Sequence, residues 1–240
     1  MNKYSQSGLF PWVSLLTGSA GLYLRHWLLS CTDDRGLLPE FHIAGYLCLL
    51  LLLLTAGIAF WCLWQATPSK AYNRRFPPSW LAAVGSAISG IGICLSAFTV
   101  PAAGILDLLL SILGILCIPA LLYAAYCRLI GLRPNAMLHG ITALFLAFRI
   151  LATCRSWGSE SQLQLYLFPL LGSLCLLLAF YYRAETAAMT GDYRKFLFFG
   201  QLALCCCIMC LPSGDWLFHT SAAIWLVTDF CTLPVGRYYG

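Results

Sequence analysis

An arginine inside an apolar stretch is the first residue in this chain whose chemistry needs explaining. Arg149 lies in "FRILATCRSWGSESQLQLY" (148–166), and Arg155, Trp157, Glu160 and Gln162 follow it closely. A guanidinium is a permanently charged planar donor that matches carboxylates and other oxyanions. Within hydrocarbon such a charge is costly, and it marks a functional position by default. Other polar residues fall at the same level of the pattern. Arg25 and His26 end the first apolar run, and His42 opens the second. Asp107 lies about one turn into the fourth, Arg149 about one turn before the end of the fifth, and His219 about one turn into the eighth. With the hairpin residues Arg155, Trp157, Glu160 and Gln162 they form a candidate ligand-binding layer. Arg149 is expected to be buried and paired with Asp107. The competing reading is interfacial, with Arg149 snorkelling and the rest being the polar residues helices need where they leave a membrane. At the opposite level only His139, Gln201 and Asp229 are comparable.

Positioning that layer is the task of a chain that is 60% hydrophobic and 10% charged, where soluble domains carry roughly 25% charge. The mean hydropathy of +0.80 agrees. Apolar runs recur at residues 9–29, 42–65, 80–100, 104–126, 136–153, 163–182, 196–211 and 216–233. Most have the length of a membrane-crossing helix. None alternates with a period of two, so helices are expected rather than strands. The fold class is therefore all-α: a polytopic transmembrane helical bundle of about eight helices, forming a single domain over residues 1–240. The first run is read as a mature helix rather than a signal peptide, because it is long and no small-x-small site follows it.

Lys and Arg set the orientation. One side of the alternating connections holds Lys3, then Lys70, Arg74 and Arg75, then Arg128 and Arg133, then Arg183, Arg194 and Lys195, then Arg237. The other holds Arg35 and Arg155, with Arg25 and Arg149 near run ends. The first side is expected to be cytoplasmic, giving an N-in, C-in arrangement. Asp33, Asp34, Glu40, Asp107, Glu160 and Asp215 lean to the outer face. The net charge of +5 thus reflects topology, and no basic soluble patch suggests nucleic acid. The connections are too short for a soluble domain. No GxxxxGK[ST] or HExxH motif occurs.

Several motifs carry a structural reading as well as a functional one. In "GSAISGIG" (85–92), small residues spaced four apart allow close helix approach, so packing is the expected role. "CCCIMC" (205–210) contains a lone CxxC, but no second pair or suitably spaced histidine accompanies it. These thiols are expected to pack as small apolar groups. Cys31 and Cys154 are the one pair expected on the outer face that could be joined by a disulfide. Pro119 and Pro169 interrupt apolar runs and can kink them. The turns "NRRFPPSW" and "LRPNAML" both place Arg just before Pro at a helix start, where Pro suits the first turn. Trp12, Trp61, Trp80, Trp157, Tyr166, Tyr181 and Trp216 at run ends read as interfacial anchors.

The block "LFLAFRILATCRSWGSESQLQLYLFPLLGSLCLLLAFYYRAE" (144–185) resembles one found in a family of small uncharacterised polytopic bacterial membrane proteins, where an Arg-containing helix leads into a YRxWSxDPQLQ-like turn. "TDDRGLLPEFH" (32–42) is similar to that family's TDExGLLxxxH-like turn. The chain departs in having Cys154 before Arg155, Gly158 for Ser, Glu160 for Asp and Ser161 for Pro. The resemblance implies a multi-pass protein of the bacterial inner membrane and singles out the two outer turns. It implies no activity. Their opposite charges, Asp33 and Asp34 against Arg155, lead us to expect the turns side by side.

Three functions compete. The first is binding or translocation of a small solute through an outward-facing polar pocket, with the bilayer as the other partner. The second is a sensory or regulatory membrane subunit, which requires a partner subunit because no output domain is present. The third is an intramembrane enzyme. It ranks last: no nucleophile–base or metal constellation is evident, and no cofactor or metal is implied.

Overall fold

The computed structural model describes residues 9–31, 42–65, 72–99, 104–157 and 163–233. Among them the chain forms helices and no strand. In chain order these are α1 (Leu9–Ser30), α2 (Ile43–Gln65), the four-residue α3 (Tyr72–Arg75), α4 (Trp80–Ala97), α5 (Ile105–Ile130), α6 (Ala136–Trp157), α7 (Leu163–Ala187), α8 (Tyr193–Met209) and α9 (Trp216–Phe230). Eight long helices thus coincide with the eight apolar runs. Helices α2, α4, α5, α6 and α7 contain segments long and apolar enough to cross a membrane, which makes a bilayer their natural surroundings.

The helix boundaries follow local chemistry. Ser79 caps α4 by accepting from the Ala82 N–H, and Asp192 caps α8 by accepting from the Arg194 N–H at 3.0 Å. Pro77, Pro78 and Pro134 lie ahead of their helices rather than in the first turn. Residues with side-chain acceptors, Ser79 and Asn135, follow them and take up free N–H groups. Gly131 ends α5 in the left-handed conformation at φ 76°, the usual glycine stop.

The packing order is informative. Helix α8 lies against α1, α2, α7 and α9, α4 packs between α5 and α9, and α6 lies between α5 and α7. Helices α8 and α9 have only 17 and 15 residues, yet their side chains are largely buried. A helix covered mostly by protein tolerates Gly, Gln, Asp and thiols. The apolar helices α2 and α5 instead turn many large side chains outward, as lipid contact requires. Trp12, Trp61, Trp80 and Trp216 are exposed at helix ends, the position expected of interfacial anchors.

The small-residue stripe on α4 is a packing surface. A Cβ on Gly85 would collide with the Thr228 side chain, and one on Gly92 with Ser221. Between them Ser89 Oγ donates to the Ser221 carbonyl at 2.7 Å. Close backbone approach therefore welds α4 to α9. Cys205, Cys206, Cys207 and Cys210 are buried in the core, and Cys205 Sγ lies 3.6 Å from the hydroxyls of Thr17 and Thr55. Among the described residues no His, Cys, Asp or Glu group has metal-binding geometry. Cys31 and Cys154 are both free thiols, so no disulfide joins them.

Candidate functional site

Arg149 is the anchor of the site, and 3% of its side chain is exposed. Its backbone belongs to α6, which packs along α5 and α7, but its side chain reaches beyond both neighbours. Nη1 donates to the Ser96 carbonyl at 3.0 Å and to Ser96 Oγ at 3.4 Å, at the end of α4. Nη2 lies 3.2 Å from Asp215 Oδ2 at the start of α9. The guanidinium also sits 4.1 Å from the centre of the Phe218 ring, a favourable cation–π distance. One side chain thus ties three helices at this end of the bundle.

A small cleft of ≈ 20 Å³ opens beside it, lined by the polar Arg149, Thr153, Ser173, Asp215 and His219 and by the apolar Ile150, Leu170 and Phe218. That is room for about one or two water molecules. Pro169 also borders the cleft, and its ring removes one backbone N–H from α7 there. His219 is buried, and its Nδ1 has no hydrogen-bond partner. Asp215 keeps 35% of its side chain exposed, so the ion pair lies at the mouth of the cleft. The wall offers a cation, an anion, an imidazole and two hydroxyls, a set that suits a small polar solute bearing both donor and acceptor groups.

The expected Arg149–Asp107 pair does not form. Asp107 is exposed in the first turn of α5, whose N-terminal dipole favours a carboxylate. The reason is depth. Helix α6 runs to Trp157 rather than stopping near Thr153, which puts Arg149 about 12 Å from its end, deeper than Asp107 lies in α5. Asp215 approaches from the short α8–α9 turn and meets the arginine.

Of the remaining candidates among the described residues only His219 joins Arg149 in the cleft. Arg25 is buried over the Phe168 ring at 5.4 Å and lies within electrostatic reach of His219. His26 and Arg155 are exposed. His42 packs edge-to-face on Trp27 at 5.3 Å and accepts from the Ala44 N–H at 3.2 Å. The side chain of Trp157, and Glu160 and Gln162 entirely, lie outside the described residues, as does the expected meeting of the turns at 32–40 and 155–162.

The opposite end holds a cluster around Asp229 whose two arginines the sequence pattern counts only as loop charge. Arg128 Nη2 donates to Asp229 Oδ1 at 2.9 Å and to Thr232 Oγ1 at 2.9 Å, and Nη1 donates to the Pro77 carbonyl. Arg183 Nη1 stands 3.1 Å from Asp229 Oδ2, a charge contact without hydrogen-bond alignment. All three side chains are 2–3% exposed. The Phe76 ring lies 3.4 Å from the Arg183 guanidinium carbon, with Tyr72 and Phe196 beyond it. Burial raises the Tyr72 phenol pKa, while Arg183 and Arg128 oppose the shift. His139 is buried within electrostatic reach of Arg183 and Asp229. The signal for this cluster was Asp229 itself: a carboxylate deep in an apolar run requires cations at its own level, and Arg128 and Arg183 follow the fourth and sixth runs there.

Nothing matches in comparisons with protein-family models, curated proteins or solved structures. The functional reading rests on the geometry.

Proposed function

We propose that this chain is a multi-pass protein of the bacterial inner membrane that binds, and in its transport reading translocates, a small polar solute at the Arg149 cleft. The observation carrying the reading is a buried arginine that borders an open cleft together with Asp215, His219, Thr153 and Ser173. A charge used only to snorkel would point to the lipid face, whereas Arg149 points across the bundle to α4 and α9. The Lys/Arg distribution supports placing this end outside. Arg133→Cys at one end and Trp216→Cys at the other test it, since both native side chains are exposed. With Cys31, Cys154 and Cys231, the free thiols that are not buried among the described residues, replaced by Ser, an impermeant thiol reagent on intact cells should label position 216 and spare 133. The reverse pattern sinks the orientation.

The regulatory reading is supported by a different observation. The Arg128–Asp229–Arg183 cluster closes the opposite end between α5, α7 and α9. Ser173→Cys, on the cleft wall, discriminates the two. Outside labelling of this cysteine is expected on either reading, and its failure beside a labelled 216 control defeats both. If the protein translocates, the same cysteine also reacts from the inner face in inverted vesicles. Labelling from outside alone favours a sensory or regulatory subunit.

A further inference from the structure

We propose that the Arg128–Asp229–Arg183 cluster is an anion site that takes a phosphate-type oxyanion, from a lipid headgroup or free in solution. The inference does not depend on the Arg149 cleft. Two buried guanidiniums share one carboxylate, leaving an excess positive charge where an uncompensated charge is strongly disfavoured. The Phe76 ring face attracts Arg183, but it brings no negative charge.

Hydrogen-bond accounting points the same way. Arg128 Nε and Arg183 Nε are buried without a partner. So are the hydroxyls of Tyr72 and Tyr193, and both residues lie within electrostatic reach of Arg128, Arg183 and Asp229. Buried donors are normally satisfied. Asp229 Oδ2 and Arg183 Nη1 also lack an aligned hydrogen bond but face each other at 3.1 Å, so the remaining four donors and the surplus cation call for a group that accepts and carries negative charge. The donors belong to four elements, α3, α5, α7 and α8. A tetrahedral oxyanion presents acceptors in more directions than a planar carboxylate. Tyr72 and Phe76 cover the cluster from the side of α3, a four-residue helix rather than a spanning one. Exposed Arg133 and Lys195 at the same end add the attraction that draws anionic headgroups to a membrane surface.

The test is a melting-temperature series on the full chain in phosphatidylcholine nanodiscs. One arm adds inorganic phosphate against chloride at equal ionic strength, and the other replaces part of the lipid with phosphatidylglycerol. A saturable rise of about 3 °C or more in at least one arm is expected. A response confined to the lipid arm assigns the site to a headgroup, and one confined to the phosphate arm assigns it to a free anion. The doubly substituted Tyr72→Phe, Tyr193→Phe protein loses no hydrogen bond present in the structure, so it should fold and lose at least half of the rise. Arg183→Gln removes the surplus charge and should lose all of it; if that variant does not fold, the phenylalanine pair decides. No rise in either arm, or a rise undiminished in the phenylalanine pair, overturns the proposal.

Discussion

The two ends of the bundle use the same chemistry at different depth. Asp215 and Asp229 both belong to the α9 segment, and a separation of 14 positions spans about 21 Å along a helix, so this one element supplies a counter-ion to each end. At the Arg149 end one guanidinium meets one carboxylate that is 35% exposed, beside a cleft. At the Asp229 end two guanidiniums meet one carboxylate, all three are 2–3% exposed, and aromatic rings close over them. The first arrangement leaves a wet mouth where a solute can compete for partners. The second behaves as a clasp across α5, α7 and α9, with its backbone hold on Pro77 extending to the turn before α4.

The largest expected effect breaks the clasp. Asp229→Asn leaves Arg128 and Arg183 buried against each other without a carboxylate, and removing one partner of such a group costs roughly 3–5 kcal/mol. Unfolding in detergent, followed by tryptophan fluorescence, should show that loss. A near-neutral Asp229→Asn would mean that the two arginines reach water, and the contrast between the ends would collapse.

Arg149→Leu comes second. Its partner carboxylate relaxes into solvent when the arginine is gone, so the cost should fall below the buried-pair range, to about 2 kcal/mol. Arg149→Lys should recover part of it, because an ammonium restores the charge but not the fork that reaches Ser96 and Asp215 together. Thermal denaturation of both variants measures this. A neutral Leu variant would place Arg149 among snorkelling residues.

The same contrast explains what the sequence could reveal. Helix number and extent were legible because lipid-facing helices such as α2 and α5 must be long and apolar. Even α8 and α9 were found, since their thiols, Ala and Leu keep them apolar although they are short. The level of Arg149 was legible only roughly, since α6 runs four residues past its apolar run and sets the arginine about a turn deeper than the run suggests. Its partner was not. Choosing Asp215 over Asp107 required knowing that α6 continues to Trp157 and that α4 and α9 come within reach, and both facts belong to tertiary packing. The Arg128–Asp229–Arg183 cluster was hidden differently. Arg128 and Arg183 sit where topology alone already explains a cation, so nothing in a one-dimensional charge count separates a buried arginine from a loop arginine.

Asp215→Asn should have a smaller effect than Arg149→Leu. It keeps a side chain able to accept from Arg149 and removes only the charge of a partly exposed pair, so about 1 kcal/mol is expected. The loss should shrink with added salt, since the pair lies at the mouth. Thermal stability at low and high salt reads both parts. A loss as large as that of Arg149→Leu would show Asp215 to be effectively buried and the cleft closed.

The smallest effect is expected at Asp107, and it is the sharpest check on the pairing. Asp107 is exposed in the first turn of α5, so its carboxylate contributes only through the helix dipole, typically about 0.3–1 kcal/mol at low salt. Asp107→Asn should therefore change stability by no more than about 0.5 kcal/mol at moderate salt. A double-mutant cycle makes the comparison independent of the absolute values. Arg149→Leu combined with Asp107→Asn should be additive, because the residues share no partner, whereas Arg149→Leu with Asp215→Asn should fall short of additivity by most of the Asp215→Asn effect. Coupling to Asp107 with additivity at Asp215 would reverse the assignment, placing the Arg149 counter-ion on α5 and leaving α9 to serve the Asp229 end alone.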